Sequence, residues 1–393
     1  MPKLSDDEPA RAKPGPLMAS ACAGIFVFGI VMAVLGAMLP SLFVRIDFDK
    51  SEAGNLFFLM NLAMLVMSVF FGPVVDRFGY KAFLMACSLL VGGSFVLFLI
   101  ASAYRSLVLA ALLLGFGGGG LNGGSNALAS DLYPERRSAA LNTLGIFFGF
   151  GALAMPFLIG LLESSLGLNP ILLLAALLSL IPFMLFLFLR FPGAKHAHGF
   201  PLGQAARIIK HPLVWLCGFL LFFQSGNEFT VGGWVSSYLH EHLRLSQMAA
   251  SLVLAGYWAA MMAGRLTSTR LVRVMKNETL ILTSAALSLL AAVVLVAAPS
   301  GLMASFGSVL IGLGFAAIFP TTLALVGEAF PAFSGTAFSV IFVIALSGGM
   351  TAPWLAGKLA EAHSLRSGLI IPVVNCVMII LLLFAIKKWG RHT

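Results

Sequence analysis

From Leu17 onward the chain reads as long apolar runs cut by short polar loops. A helix needs about 20 predominantly apolar residues to cross the hydrocarbon of a bilayer. Runs of that kind fall at 17–42, 54–75, 82–102, 106–130, 139–162 and 168–189, and again at 213–239, 247–268, 279–298, 302–327, 335–357 and 366–386. They predict an all-α membrane protein with 12 transmembrane helices, here called spans one to twelve. Pro and Gly within the runs do not argue against spanning, because neighbouring helices can satisfy the backbone groups they free.

The second set of runs repeats the first. A shift of 197 residues lays Gly115 on Gly312, Gly117 on Gly314, Asp131 on Glu328 and Pro134 on Pro331. In the same register Gly151 meets Gly348, Pro156 meets Pro353 and Gly160 meets Gly357. An even number of spans separates the copies, so both have the same orientation, and the fold predicted is two parallel-repeat six-helix bundles. Between them lies the longest polar interior stretch, from Arg190 to His211. Its His196-x-His198 pair has no further ligands beside it and reads as solvated linker. The organisation expected is an N-terminal tail at 1–16, a first bundle at 17–190, a linker at 191–211, a second bundle at 212–387 and a tail at 388–393.

Composition agrees: 60% of residues are hydrophobic and only 10% charged, against about 25% charged in soluble domains. The net charge of +9 does not point to nucleic acid, because the basic residues are spread through short loops. With the N-terminus in the cytoplasm, 18 of the 24 Lys and Arg residues fall in cytoplasmic segments. That bias orients a multi-pass protein with both termini cytoplasmic, in a bacterial-type inner membrane. The first 16 residues are polar, no short cleavable signal precedes the first run, and that run is expected to act as an uncleaved anchor. Cys22, Cys87, Cys217 and Cys376 all lie in apolar runs without metal-ligand spacing. No nucleophile–base pair, metal cluster or nucleotide motif is legible, so neither an enzyme nor a cofactor is expected.

Two groups of charges sit at span ends. Gly72-Pro-Val-Val-Asp76-Arg77-Phe-Gly79-Tyr-Lys81 joins spans two and three. Gly72 allows close helix approach and Gly79 a tight turn, while Asp76 and Arg77 can pair with neighbouring helix ends. Gly264-Arg265 reads as its degenerate counterpart in the second copy. Asp131 closes span four just before Arg136 and Arg137, and Glu328 is its repeat partner. These residues are expected to be gating or structural charges, too near the cytoplasm to hold a solute at the midplane.

Span seven carries the candidate chemistry. Glu228 lies about 15 residues into it, near the membrane centre at about 1.5 Å per residue, where an ionisable group is costly and reads as functional. Gln224 and Asn227 are spaced to share its helix face, and Trp234 continues the stripe. From the other spans Asn122, Asn126, Asn142 and Tyr257 are expected to line the same cavity, with Asn61 and Asn375 as weaker candidates. Amides and a carboxylate beside an indole suit a carbohydrate. No Arg or Lys is expected at the centre, which favours a neutral polar solute over an organic anion.

The loop signature, repeat and linker resemble the major facilitator superfamily over the whole chain. Within it, residues 226–238 (Gly-Asn-Glu-Phe-Thr-Val-Gly-Gly-Trp-Val-Ser-Ser-Tyr) resemble the fucose permease and sodium-dependent glucose transporter branch. Tyr257-Trp258 with Gly264-Arg265 is also similar, as is Leu141-Asn142 leading to Phe147–Ala152 and Pro156. The chain departs from fucose permease in having no charge in span one and amides, not acids, in span four, which argues against proton coupling of that kind. The resemblance implies a monomer in the lipid bilayer that carries a small-molecule substrate by alternating access. Glu228 would bind a hydroxyl or take a coupling H+ or Na+. The rival readings are a multidrug efflux antiporter and a lipid or lysolipid carrier; a receptor-like sensor is disfavoured by the repeat.

Overall fold

The computed structural model describes residues 14–133, 137–191, 211–272, 274–330 and 334–389, and these are almost entirely helical, with no strand among them. Span one is the helix Pro14–Arg45. Spans two and three form one long element, Lys50–Ile100, interrupted only where Gly79 adopts φ 77°. The sequence predicts a loop there, and a single left-handed glycine suffices for the turn. Spans four to six are Tyr104–Leu132, Arg137–Leu166 and Leu168–Phe188. Span seven, Pro212–Ser237, ends in a π-helical turn at Tyr238–His242. Span eight is Gln247–Leu271 and span nine Asn277–Ala297. Span ten is split into Gly301–Phe315 and Ile318–Ala329, span eleven is Ser334–Ala362, and span twelve comprises Leu365–Gly368 and Ile370–Trp389.

Local sequence sets several of these boundaries. Asp49 opens span two with a reciprocal cap: it accepts from the Glu52 amide at 2.6 Å, and the Glu52 side chain accepts from the Asp49 amide at 3.0 Å. Ser246 caps span eight through the Ala249 amide at 3.1 Å. Span ten breaks at Ala316 and Ala317 because Pro320 has no N–H to offer the carbonyl four residues back, and its ring crowds that carbonyl. Eleven helices among the described residues are long and apolar enough to cross a membrane. Span seven falls short of that apolarity because it holds Gln224, Ser225, Asn227, Glu228 and Thr230 in succession.

The repeat is physical as well as textual. A side chain at Gly115 would strike the Met60 carbonyl, and one at Gly312 would strike the Tyr257 carbonyl. Gly117 lies against Val91, and Gly314 against Ser288. The Tyr80 hydroxyl donates to Asp131 at 2.7 Å, and the Asn277 amide donates to Glu328 at 3.0 Å. Each pair maps onto the other through the same 197-residue shift, so the two copies pack their helices by the same contacts. The close crossings use small residues, as lipid-embedded bundles require when little hydrophobic force drives helix association.

Span one is largely enclosed, with most residues from Leu17 to Leu42 buried. It crosses span five where Gly29 abuts the Phe148 carbonyl and Gly151, and span seven where Gly36 abuts the Gly232 carbonyl. Spans one to six and seven to twelve are tied at the end opposite the linker, here the far end. Lys50 pairs with Glu241 at 3.3 Å, and its amide donates to Glu361 at 3.0 Å. The Trp354 indole donates to Asn55 at 2.9 Å, Lys358 bonds Ser51, and Gln247 reaches Ser41 at 3.4 Å.

Candidate functional site

The site is built where span seven faces the break in span ten. Splitting a helix leaves carbonyls at its C-terminus without helical partners, and the Gln224 amide donates to one of them, Phe315 O, at 3.4 Å. The same amide donates to Glu228 Oε1 at 3.0 Å, so Gln224 ties the carboxylate to the break. From span eight the Arg265 guanidinium approaches Glu228 Oε2 to 4.0 Å, with side-chain exposures of 33% and 13%. Gly264 makes this approach possible, because a Cβ there would press on Ala316 and the Leu313 carbonyl at the break.

Aromatic rings enclose the pair. Arg265 lies 5.6 Å over the Phe148 ring from span five, and Phe148 sits 5.6 Å from Phe28 and 6.2 Å from Trp258. Tyr257 stands 5.1 Å from Trp258 and 6.4 Å from Phe315. Buried here without a hydrogen-bond partner are Gln224 Oε1, Tyr257 OH, Trp258 Nε1 and Arg265 Nε. Such atoms are costly in a bundle interior unless something else satisfies them. The arrangement can receive a polar solute while holding one positive and one negative charge.

Arg265 corrects the expectation of a centre without a cation. It lies inside the predicted span eight, six residues from the end of the observed helix, and a long side chain reaches well beyond its own Cα. It is also not a loop-signature remnant: the 197-residue register sets Gly72 opposite Thr269 and Asp76 opposite Arg273. The span-seven stripe divides as well. Gln224 and Glu228 turn together toward spans eight and ten, whereas Asn227 points at Cys376 of span twelve, 3.5 Å away. Trp234 is 1% exposed, donates to the Pro353 carbonyl at 3.0 Å and packs 5.8 Å from Phe57 of span two. It is wedged between spans, and the indole packed on Phe148 beside Arg265 belongs to Trp258.

The remaining candidates make contacts of their own. Asn126 donates to the side chain and the carbonyl of Asn122, both at 2.9 Å, and the two are partly exposed on span four. Asn61 and Asn375 are buried. The Lys81 ammonium donates to the Leu187 and Leu189 carbonyls at 2.6 and 3.3 Å, which ties span three to the end of span six. Gly72, Asp76, Arg77, Arg137 and Asn142 are helical, but their side chains lie outside the described residues, as do Arg136 and the linker pair His196 and His198 entirely. At the far end a cavity of about 470 Å³ is lined by residues including Ser41, Arg45, Glu163, Asn169, His240 and Gln247.

Parallel six-span copies around a partly buried charged pair are the architecture of a multi-pass membrane transporter. The chain belongs to the major facilitator superfamily, whose sequence profile matches residues 21–345 and again 217–391. It is similar to an uncharacterized transporter of Sinorhizobium fredii, at 22% identity over 350 residues, which covers 88% of this chain and 91% of that one. It is also similar to a 4-hydroxybenzoate transporter of Pseudomonas aeruginosa, at 31% identity over 170 residues, 42% of this chain and 37% of that one. In fold it resembles a solved D-xylose-proton symporter with a TM-score of 0.77 and 17% identity, covering 94% of this chain and 96% of that one.

Proposed function

We propose that this chain is an alternating-access carrier of a small polar solute, that the solute binds between the two bundles, and that Glu228 couples its passage to H+ or Na+. The observation that carries the reading is the Glu228 carboxylate, the one such group deep within a span among the described residues, shared between Gln224 and Arg265 beside the break in span ten. A charge placed there has to be stabilised by partners, and a cation or solute that changes those partners changes the stability of each conformation. Both termini then lie in the cytoplasm of a bacterial-type inner membrane, and the bundles meet through the linker at 191–211. The chain acts as a monomer.

Among neutral solutes a sugar fits the amides of Gln224, Asn122 and Asn126 and the indole of Trp258, which can pack against a sugar ring. Arg265 favours a second reading, an anionic solute, developed below.

The test uses purified protein in liposomes loaded with unlabelled solute. Wild type is expected to accumulate labelled solute when an H+ or Na+ gradient is imposed. Glu228→Gln is expected to exchange solute across the membrane without accumulating it. Gradient-driven accumulation by Glu228→Gln at the wild-type level would remove Glu228 from the coupling role.

A further inference from the structure

We propose that Arg265 is the solute-binding cation of the site and that the solute is a small monocarboxylate, carried with one proton. The inference rests on the transporter reading above and is independent of its sugar arm.

The guanidinium offers five donors in a planar fork, and Glu228 does not engage it as a fork. Its closest approach, 4.0 Å, is beyond hydrogen-bonding range, whereas a bidentate arginine–carboxylate pair closes to about 2.7–2.9 Å. The other polar contact of the guanidinium is a weak one to the Met261 sulfur at 3.6 Å. Arg265 Nε is buried and unpartnered, while a third of the side chain is open. Glu228 therefore balances the charge and leaves the directional capacity of the arginine unused.

The surroundings specify the rest of the ligand. Side chains on a helix lean toward its N-terminus, so Arg265 reaches back along span eight toward Met261 and Trp258. The Trp258 ring, whose Nε1 is unpartnered, and the Arg265 guanidinium both lie against the Phe148 ring. A carboxylate on the arginine fork would place the body of its molecule among Phe148, Trp258 and Phe28, which are apolar faces with one further donor.

Charge balance then fixes the coupling. Two carboxylates on one guanidinium in a low-dielectric interior leave an uncompensated negative charge. Glu228 is met by Gln224 on its own helix and by Arg265 from span eight, Tyr257 of span eight lies within its electrostatic reach, and the Phe315 carbonyl of span ten is bonded to the same Gln224 amide. Span one is free of charge from Leu17 to Leu42, span twelve presents Cys376 to Asn227, and Lys358 and Glu361 of span eleven lie at the far end. Among the described residues these helices bring no second fixed cation to the site, so the compensating charge is mobile. The anion binds Arg265 as a proton binds Glu228. The charge of the site stays constant, and one monoanion and one proton cross together with no net charge moved. A proton needs only the single carboxylate present, unlike a metal cation that needs several oxygens.

The experiment uses the full-length protein and two matched pairs, 4-hydroxybenzoate with 4-hydroxybenzyl alcohol and gluconate with glucose. Calorimetric titration is expected to show binding of at least one acid and not of its uncharged partner. Its affinity should tighten as the pH falls from about 8 to about 6, where the acids stay ionised. Arg265→Gln should weaken it by about 100-fold or more, and Arg265→Lys by less, since charge survives without the fork. Glu228→Gln should bind the acid with no pH slope and no proton uptake in liposomes. Thermal unfolding of each variant confirms that it is folded. Acid binding indifferent to Arg265→Gln, or an absence of binding by both acids, overturns the proposal. So does uptake of glucose or the benzyl alcohol that survives Arg265→Gln, though this last result leaves the transporter reading standing. That reading fails separately if wild type binds a solute and never moves it across the bilayer.

Discussion

Tyr80 and Asp131 are joined by a 2.7 Å hydrogen bond between the start of span three and the end of span four, and the copy of this bond 197 residues on is the 3.0 Å contact of Asn277 with Glu328. The donor has changed from phenol to amide and the acceptor from Asp to Glu, yet the tie persists. The linker end of each bundle is held by a side-chain acceptor at the close of one span and a donor at the start of another.

Removing either donor should therefore loosen its own bundle. Tyr80→Phe and Asn277→Ala are each expected to cost about 0.5–1.5 kcal/mol, with Asn277→Ala at the low end because its bond is solvent-exposed. Chemical unfolding in detergent, read as the shift in midpoint, measures both. Equal midpoints for Tyr80→Phe and wild type would show that the bond adds nothing.

The Glu228–Arg265 pair should behave non-additively. Removing one partner of a buried pair costs about 3–5 kcal/mol because the other is left uncompensated, and the one-third exposure of Arg265 brings the effect to or below the low end. Arg265→Gln alone is expected to lower the thermal midpoint more than Arg265→Gln combined with Glu228→Gln. A double variant as unstable as the sum of the singles would mean that the two charges do not interact.

Glycine substitutions test the repeated packing. Gly115→Val and Gly312→Val drive a side chain into the Met60 and Tyr257 carbonyls respectively. Backbone cannot yield as a rotamer can, so both should exceed the usual 1–3 kcal/mol or so of overpacking and reduce folded yield. Gly93→Val is the control, since nothing lies within 4 Å of a Cβ there. Monodisperse yield by size-exclusion chromatography should stay near wild type for Gly93→Val only.

Span count, the repeat and the interior position of Glu228 were legible because each leaves a mark in one dimension: a run length, an offset, a charge among apolar residues. Trp234 and Asn227 were misplaced because helical spacing gives a face but not the neighbour that the face meets. Span eleven takes Trp234 and span twelve takes Asn227. Arg265 was missed because a charge near a helix end was assigned by position, while its reach depends on Gly264 and on the break that Pro320 imposes in another helix. That dependence joins residues about 55 positions apart, and no local pattern carries it.

Cross-bundle ties at the far end should hold one conformation. Lys50 pairs with Glu241, and Lys358 with Ser51. Partly exposed pairs contribute about 0.2–1 kcal/mol each, enough together to shift a balanced two-state population several-fold. Phe57→Cys places a thiol against Trp234 at the bundle interface, and the four native cysteines are buried. Adding Lys50→Ala and Lys358→Ala should speed labelling of that thiol by an impermeant maleimide supplied at the far end. An unchanged rate would show that these contacts do not govern opening.

The glycine crossings of span one have a mechanical meaning. Gly29 meets Gly151, and Gly36 meets the Gly232 carbonyl, backbone on backbone. Ordinary helix contacts interlock as ridges in grooves, and sliding must force side chains past one another. At these two points backbone takes the place of teeth, although the Phe28 and Phe148 rings meet beside the first. In the proposed rocking of the bundles, span one is an axle held at two backbone bearings, one in each bundle.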